Sequence, residues 1–209
     1  MIIGLTGAAR SGKDTVASML TEFLAASYPM RATRSRSNAT GVIQVQIAGP
    51  LKAFCREVFD WTTEHTDGAL KDIPDQRYPN ARGYLTPRQA MQSLGDDWST
   101  PLYEPIWAVL AARKAKQYWD EGNVVFVTDC RFLRDIRAVR EVGGSIVQVH
   151  RDTGAGLTGA AAQHRGEVER NLPEFQALVT HHIYNHGSLD DLRAACLEIL
   201  LPLVPPKYR

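Results

Sequence analysis

The run Gly7-Ala8-Ala9-Arg10-Ser11-Gly12-Lys13 has the form G-x-x-x-x-G-K. Its glycines let backbone N–H groups turn inward around a phosphate. A helix beginning at the lysine adds the positive end of its dipole at the same place. Lys13 supplies a full charge for the β- and γ-phosphates of a nucleotide. The residue after such a lysine is normally Ser or Thr, whose hydroxyl binds Mg²⁺; here Asp14 stands there, with Thr15 next. Two readings stay open. Either Asp14 holds the metal, directly or through water, or it caps the helix and Thr15 takes the metal role.

A second acid, Asp129, closes the apolar run 123–128 (NVVFVT). An acid at the end of a strand is where Mg²⁺ or its waters are oriented in phosphoryl-transfer sites. Arg131 follows at once. Phosphoryl transfer concentrates negative charge on several oxygens, and arginine binds phosphate in a fork. The catalytic candidates are therefore Lys13, Arg10, Asp129, Arg131 and Arg151. Arg165 is assigned to the nucleotide together with the loop 7–15. Arg131 and Arg170 are assigned to an acceptor. Arg134, Arg137 and Arg140 read as a solvated helix face.

Lys52 and Arg56 lie about one helical turn apart, as do Arg88 and Gln92, so each pair shares a face. Arg88 suits an acceptor phosphate and Gln92 a base edge. Trp61, Trp98 and Tyr103 have rings that can stack on a base, although packing is the commoner fate of each; Trp98 is counted with the binding residues. His181, His182 and His186 have no completing carboxylate or cysteine pattern and read as structural.

The elements that must position these groups alternate. A strand at 2–6 leads through the glycine-rich turn into a helix at 13–26 with apolar positions at helical spacing. Residues 31–40 (RATRSRSNAT) read as an exposed loop. A strand at 42–48 precedes a helix opened by Gly49-Pro50. Residues 66–85 show no clear periodicity and read as a loop or a small irregular subdomain. Thr86-Pro87, with Gln89 three residues after the threonine, opens the next helix; another runs from about Glu104 to Glu121. The strand 123–128, a helix at 132–142, a strand at 145–150, a short strand at 181–185 and a helix from about Leu189 to Leu200 complete the order. This alternation predicts a parallel sheet with helices on both faces. Right-handed crossovers put every strand's carboxyl end on one edge, where ligands bind. Gly7–Lys13, Asp129 and Arg151 all follow strand ends there. Residues 151–172, rich in Gly, Ala and Arg, read as a mobile cover that excludes water.

The chain has 209 residues and a net charge of +1, with 44% hydrophobic and 22% charged residues. The near-neutral balance argues against a nucleic-acid coat. No apolar run reaches membrane-spanning length, and the N-terminus has no charged region of the secretory kind. The expected location is the cytoplasm. The three cysteines, Cys55, Cys130 and Cys196, are widely spaced and predict buried free thiols rather than disulfides or a metal site.

Ser11-Gly12-Lys13-Asp14-Thr15, Ala48-Gly49-Pro50-Leu51-Lys52, Thr86-Pro87-Arg88 with Gln92 and Gly95, Asp129-Cys130-Arg131-Phe132 and the late Asn185-His186-Gly187 together resemble the deoxynucleoside monophosphate kinases of tailed bacteriophages. The resemblance extends over nearly the whole chain and accounts for Asp14, since SGKDT is usual in that family. It implies an α/β P-loop NTPase fold: a five-stranded parallel sheet flanked by helices, an acceptor-binding insertion at about 50–121 and a lid at about 151–172, all in a single domain over 1–209. It implies ATP and Mg²⁺ as cofactors and transfer of the γ-phosphate to deoxynucleoside monophosphates. The expected partner is a small-molecule nucleotide, without nucleic acid or membrane; a homodimer is left open, and a phage origin would place the protein in the host cytoplasm. Other small-molecule P-loop kinases, and a nucleotide-binding protein without phosphotransfer, are the competing readings.

Overall fold

The computed structural model describes residues 1–27, 41–81, 83–151 and 165–203. The expected 31–40 loop, and most of the expected lid at 151–172, lie outside the described residues. The chain opens with β1 (Ile2–Gly7), α1 (Lys13–Ser27) and β2 (Val42–Val45). A run of short elements follows: α2 (Gly49–Phe59), α3 (Thr63–Thr66), β3 (Asp75–Asn80), β4 (Gly83–Leu85), α4 (Pro87–Gln92) and α5 (Ser99–Tyr103). The remainder comprises α6 (Ile106–Asp120), β5 (Val124–Val127), α7 (Leu133–Glu141), β6 (Ser145–His150), α8 (Arg165–Arg170), α9 (Pro173–Gln176), β7 (His181–Tyr184) and α10 (Leu189–Leu200).

Five strands form one parallel sheet in the order β2-β5-β1-β6-β7. All residues of β1 and β5 are buried, which is why both read as unbroken apolar runs. Alternate side chains serve two cores. Ile3, Leu5, Phe126 and Val147 pack with Val16, Leu20, Leu192 and Cys196 of α1 and α10. Ile2, Val125, Val127 and Ile146 pack on the other face with Ala111 and Ala112 of α6 and Ile136 and Val139 of α7. Small residues let that second layer close tightly. The inner face of α6 is alanine at 108, 111, 112 and 115, and a Cβ on Gly4 would sit 2.8 Å from Ile146 Cδ1. All three cysteines are buried and free, as expected.

Three sequence expectations need correction. The second strand ends at Val45 rather than 48, because the chain turns there to aim the N–H groups of Ile47 and Ala48 at the Asp129 carboxylate. Of the two readings of residues 66–85, the loop gives way to the small irregular subdomain: they hold a 3-10 turn at Ala69–Asp72 and the antiparallel hairpin β3–β4. Trp61 anchors that region as core packing, not as a base platform. Its ring lies 4.4 Å from Phe59 and its Nε1 donates to Asp75 Oδ2 at 2.7 Å. Third, α6 begins at Ile106, after Pro105, rather than at Glu104.

The start of α4 is as its sequence predicts. Thr86 Oγ1 accepts from Gln89 N while Gln89 Oε1 accepts from Thr86 N. The helix continues through a π-helical turn, Ser93–Trp98, into α5. None of the described helices is long and apolar enough to cross a membrane.

Candidate active site

The loop between β1 and α1 owes its shape to positions that only glycine fills without strain. Gly7 has φ +149° and Gly12 has φ +97°. A Cβ on Gly7 would press into the Val149 carbonyl of β6, and one on Gly12 would lie 2.6 Å from Asn185 Nδ2. Arg10 takes φ +63° without being glycine, a strained conformation of the kind concentrated at functional loops. Asn185, just beyond β7, props the loop from behind by donating to Ser11 O at 3.0 Å. Gly7→Ala is therefore expected to open the loop and to cost about 1–3 kcal/mol of stability. Thermal unfolding with and without a polyphosphate checks both effects; an unchanged melting curve contradicts this account of the loop.

Lys13 Nζ donates to the carbonyls of Gly7 (3.0 Å) and Ala8 (2.7 Å). Burial holds its pKa below the usual lysine range, and Arg170 and Arg131 press it further down; Asp14 and Glu167 oppose them. Positive charge thus converges on one spot. Ser11 Oγ and Arg170 Nε are buried there without a hydrogen-bond partner among the described residues. A half-buried lysine and unmatched buried donors fit a polyphosphate.

Two cavities border this loop, and another shares a wall with one of them. One, of about 220 Å³, is bounded by Gly7, Ala9, Lys13, Arg131, Gly166, Glu167 and Arg170. A second, of about 310 Å³, has Lys52, Lys71, Arg88, Gln92, Arg131 and Arg134 as polar walls and Leu51, Met91 and Trp107 as apolar ones. Arg131 is the one described residue that lines both. A third, of about 840 Å³, runs past Ala8 on the far side and includes Arg151, Tyr184 and His186.

The predicted residues divide accordingly. Lys13 and Arg131 come together as expected. Arg170 is 7% exposed and lines the phosphate-loop cavity, not the second cavity to which the sequence assigned it. Arg88 and Gln92 do share the second cavity; Arg88 is paired there with Asp72 through two nitrogens. Lys52 also lines it, held by Gln46 and Asp67. Arg56 does not: it turns to Thr66 Oγ1 at 2.8 Å and toward Asp67. Trp98 is also outside the lining, 42% exposed and packed 5.9 Å from Trp107. Arg165 lines none of the three cavities. It bonds Glu104 (2.7 Å) and Glu169 (2.6 Å) and lies over the Phe132 ring. Arg10 is exposed outside all three.

Arg134 overturns the solvated-face reading. Its side chain is 15% exposed, bonded to Glu104 at 2.9 Å and near Asp96. Lys71 was missed because it sits in the segment without periodicity. No local signal marks Arg134, whose carboxylate partners Glu104 and Asp96 lie in earlier elements.

Among the described residues no group of three or more His, Cys, Asp or Glu could hold a metal by itself. Asp129 is half-buried, with Oδ1 and Oδ2 accepting from the N–H groups of Ile47 and Ala48, and desolvation raises its pKa. It works as a tie between β5 and the β2–α2 turn. Asp14 and Thr15 are exposed on the first turn of α1, beside Lys13. Both side chains carry oxygen, the donor type Mg²⁺ takes.

Asp135 is a second buried carboxylate. Its Oδ2 accepts from the N–H groups of Arg131 and Phe132, each at 2.9 Å, which fixes the backbone that carries Arg131. Burial pushes its pKa up to about 6. The folded form then holds the proton more tightly than the unfolded form. The stability Asp135 contributes is full below the ordinary carboxylate value of about 4 and is lost as pH rises through about 6. Asp135→Asn keeps an acceptor for both N–H groups and is expected to flatten this slope. Urea unfolding at about pH 5 and pH 7 checks it; an equal slope in variant and parent contradicts the assignment.

No family model matches the sequence, and no curated protein matches it. Solved structures do match over almost the full length. TT1252 from Thermus thermophilus is 18% identical, with 98% of each chain covered and a TM-score of 0.53. Dephospho-CoA kinase from Campylobacter jejuni is 12% identical, with 97% of this chain and 96% of that chain covered and a TM-score of 0.54. Thymidylate kinase from Ehrlichia chaffeensis is 14% identical, with 98% of each covered and a TM-score of 0.51. The likeness shows the fold these structures share with this chain: an α/β architecture with a five-stranded parallel sheet flanked by helices.

Proposed function

We propose that this chain is an ATP-dependent deoxynucleoside monophosphate kinase, transferring the γ-phosphate of ATP to a deoxynucleoside monophosphate to give the diphosphate. The observation that carries this reading is Arg131, the wall common to the phosphate-loop cavity and the second cavity. A guanidinium between two phosphate-sized sites can bridge a donor and an acceptor oxygen and neutralise charge as it moves between them.

In this reading Lys13 and the loop N–H groups orient the donor's β- and γ-phosphates, and Arg170 flanks them. Arg151, on the rim of the third cavity, faces the rest of the nucleotide. Mg²⁺, held with the nucleotide by Asp14 and Thr15, supplies charge neutralisation on the phosphate oxygens. In the second cavity Arg88, Lys52 and Lys71 hold the acceptor's phosphate. Gln92 reads the base edge, between the apolar walls of Leu51, Met91 and Trp107. A phosphate oxygen of the acceptor attacks the γ-phosphorus, the bond to the β-phosphate oxygen breaks, and the charge leaves on ADP.

That chemistry needs no proton removal, because a monophosphate is largely ionised at neutral pH. A hydroxyl acceptor needs a base. The two carboxylates at the second cavity, half-buried Asp129 and buried Asp135, already accept backbone N–H groups, which favours a phosphate acceptor.

Arg88 contacts a phosphate that does not migrate. Arg88→Ala is expected to raise the acceptor KM about tenfold or more while kcat changes little. Steady-state kinetics with varied acceptor decide it, and an unmoved KM removes Arg88 from the site. The substrate reading is tested by ADP formation across a panel of dTMP, dGMP, dCMP, AMP and dephospho-coenzyme A. Turnover confined to a hydroxyl acceptor contradicts it.

A further inference from the structure

One carboxylate at the phosphate loop has no part in the chemistry above. Glu167, on α8, accepts a hydrogen bond from the Ala9 N–H at 3.3 Å. Ala9 belongs to the glycine-rich loop between β1 and α1, and its N–H is a donor that a phosphate oxygen could use. The same carboxylate forms an ion pair with Arg170 through both guanidinium NH groups, and it offsets the positive field on Lys13. Glu167 itself keeps a pKa below the usual range: burial opposes ionisation, but Arg170, the Ala9 N–H and Lys13 outweigh it. It is therefore ionised where it sits.

A carboxylate on the Ala9 N–H and on Arg170 makes contacts a phosphate oxygen would make. Lys13 is satisfied internally as well, by the Gly7 and Ala8 carbonyls. A polyphosphate and Glu167 thus need the same donors. The arrangement has two anchors outside the loop: Glu169 Oε2 accepts from Leu133 N at 2.8 Å, and Arg165 spans Glu104 and Glu169. These hold α8 against α7, so Glu167 alone need move.

We infer that Glu167 is a built-in competitor for the phosphate loop, which a nucleotide's polyphosphate must displace, handing Arg170 from carboxylate to phosphate. The inference rests on the kinase reading of the loop. Its energetic consequence is direct: affinity is reduced by the fraction of molecules in which Glu167 holds the donors.

The test measures binding of inorganic tripolyphosphate by calorimetry to the parent chain, Glu167→Gln and Glu167→Ala, with the Ala9 amide followed by NMR. Both variants are expected to bind about three- to tenfold more tightly. The Ala9 amide signal should differ between parent and Glu167→Gln before tripolyphosphate is added, and should converge at saturation. Unchanged or weaker binding by both variants overturns the inference, as does an Ala9 signal that still differs at saturation. If the parent chain binds no tripolyphosphate, the kinase reading itself fails and this inference falls with it. Parent binding with no tightening in the variants removes only the inference.

Discussion

Lys13→Ala is expected to lower kcat by at least about 10³-fold, equivalent to about 4 kcal/mol of transition-state stabilisation. The ammonium is the only lysine charge lining the phosphate-loop cavity among the described residues. It sits half-buried, where a charge interacts more strongly than it would in water. The fold should survive, because Lys13 bonds only to two carbonyls of its own loop, and the buried contacts of α1 are made by Val16, Ala17 and Leu20. Circular dichroism and steady-state turnover separate the two effects. A folded variant with near-parental kcat would refute the role given to Lys13.

Arg131→Ala is expected to have a comparable effect by a different route. Its guanidinium borders both cavities, so its contribution is largest when charge lies between donor and acceptor. Loss of a transition-state arginine costs about 10³-fold or more in kcat, with smaller changes in either KM. Arg131→Lys keeps the charge but loses the fork, and should recover only part of the rate. The backbone there is held by Asp135 through main-chain N–H groups, so neither substitution removes the support. If the variant raised only the acceptor KM, Arg131 would be a binding residue of the second cavity and not a bridge.

The parts of this architecture that follow from local chemistry were legible in the sequence. The glycine-rich turn between β1 and α1 was, because its glycines and its flanking strand and helix are contiguous. So were β1 and β5, whose burial on both faces leaves unbroken apolar runs, and the Thr86 capping box. What escaped depends on groups distant in sequence. The early end of β2 reflects the pull of Asp129, 81 and 82 residues away, on the Ala48 and Ile47 N–H groups. Arg134 looks solvated until Glu104 and Asp96 are brought beside it. The β3–β4 hairpin is mostly exposed and carries Pro79, so it lacks the alternation that marks a half-buried strand. Glu167 lay among arginines that drew attention as phosphate ligands, yet its contact with Ala9 spans 158 residues.

The most direct measurement is a single-turnover transfer assay, with ATP labelled in the γ-phosphate, Mg²⁺, and each deoxynucleoside monophosphate in turn. The account predicts label in a deoxynucleoside diphosphate, with little in free phosphate and none in the Lys13→Ala reaction. Label that stays in ATP, or that passes to water whatever acceptor is present, contradicts it.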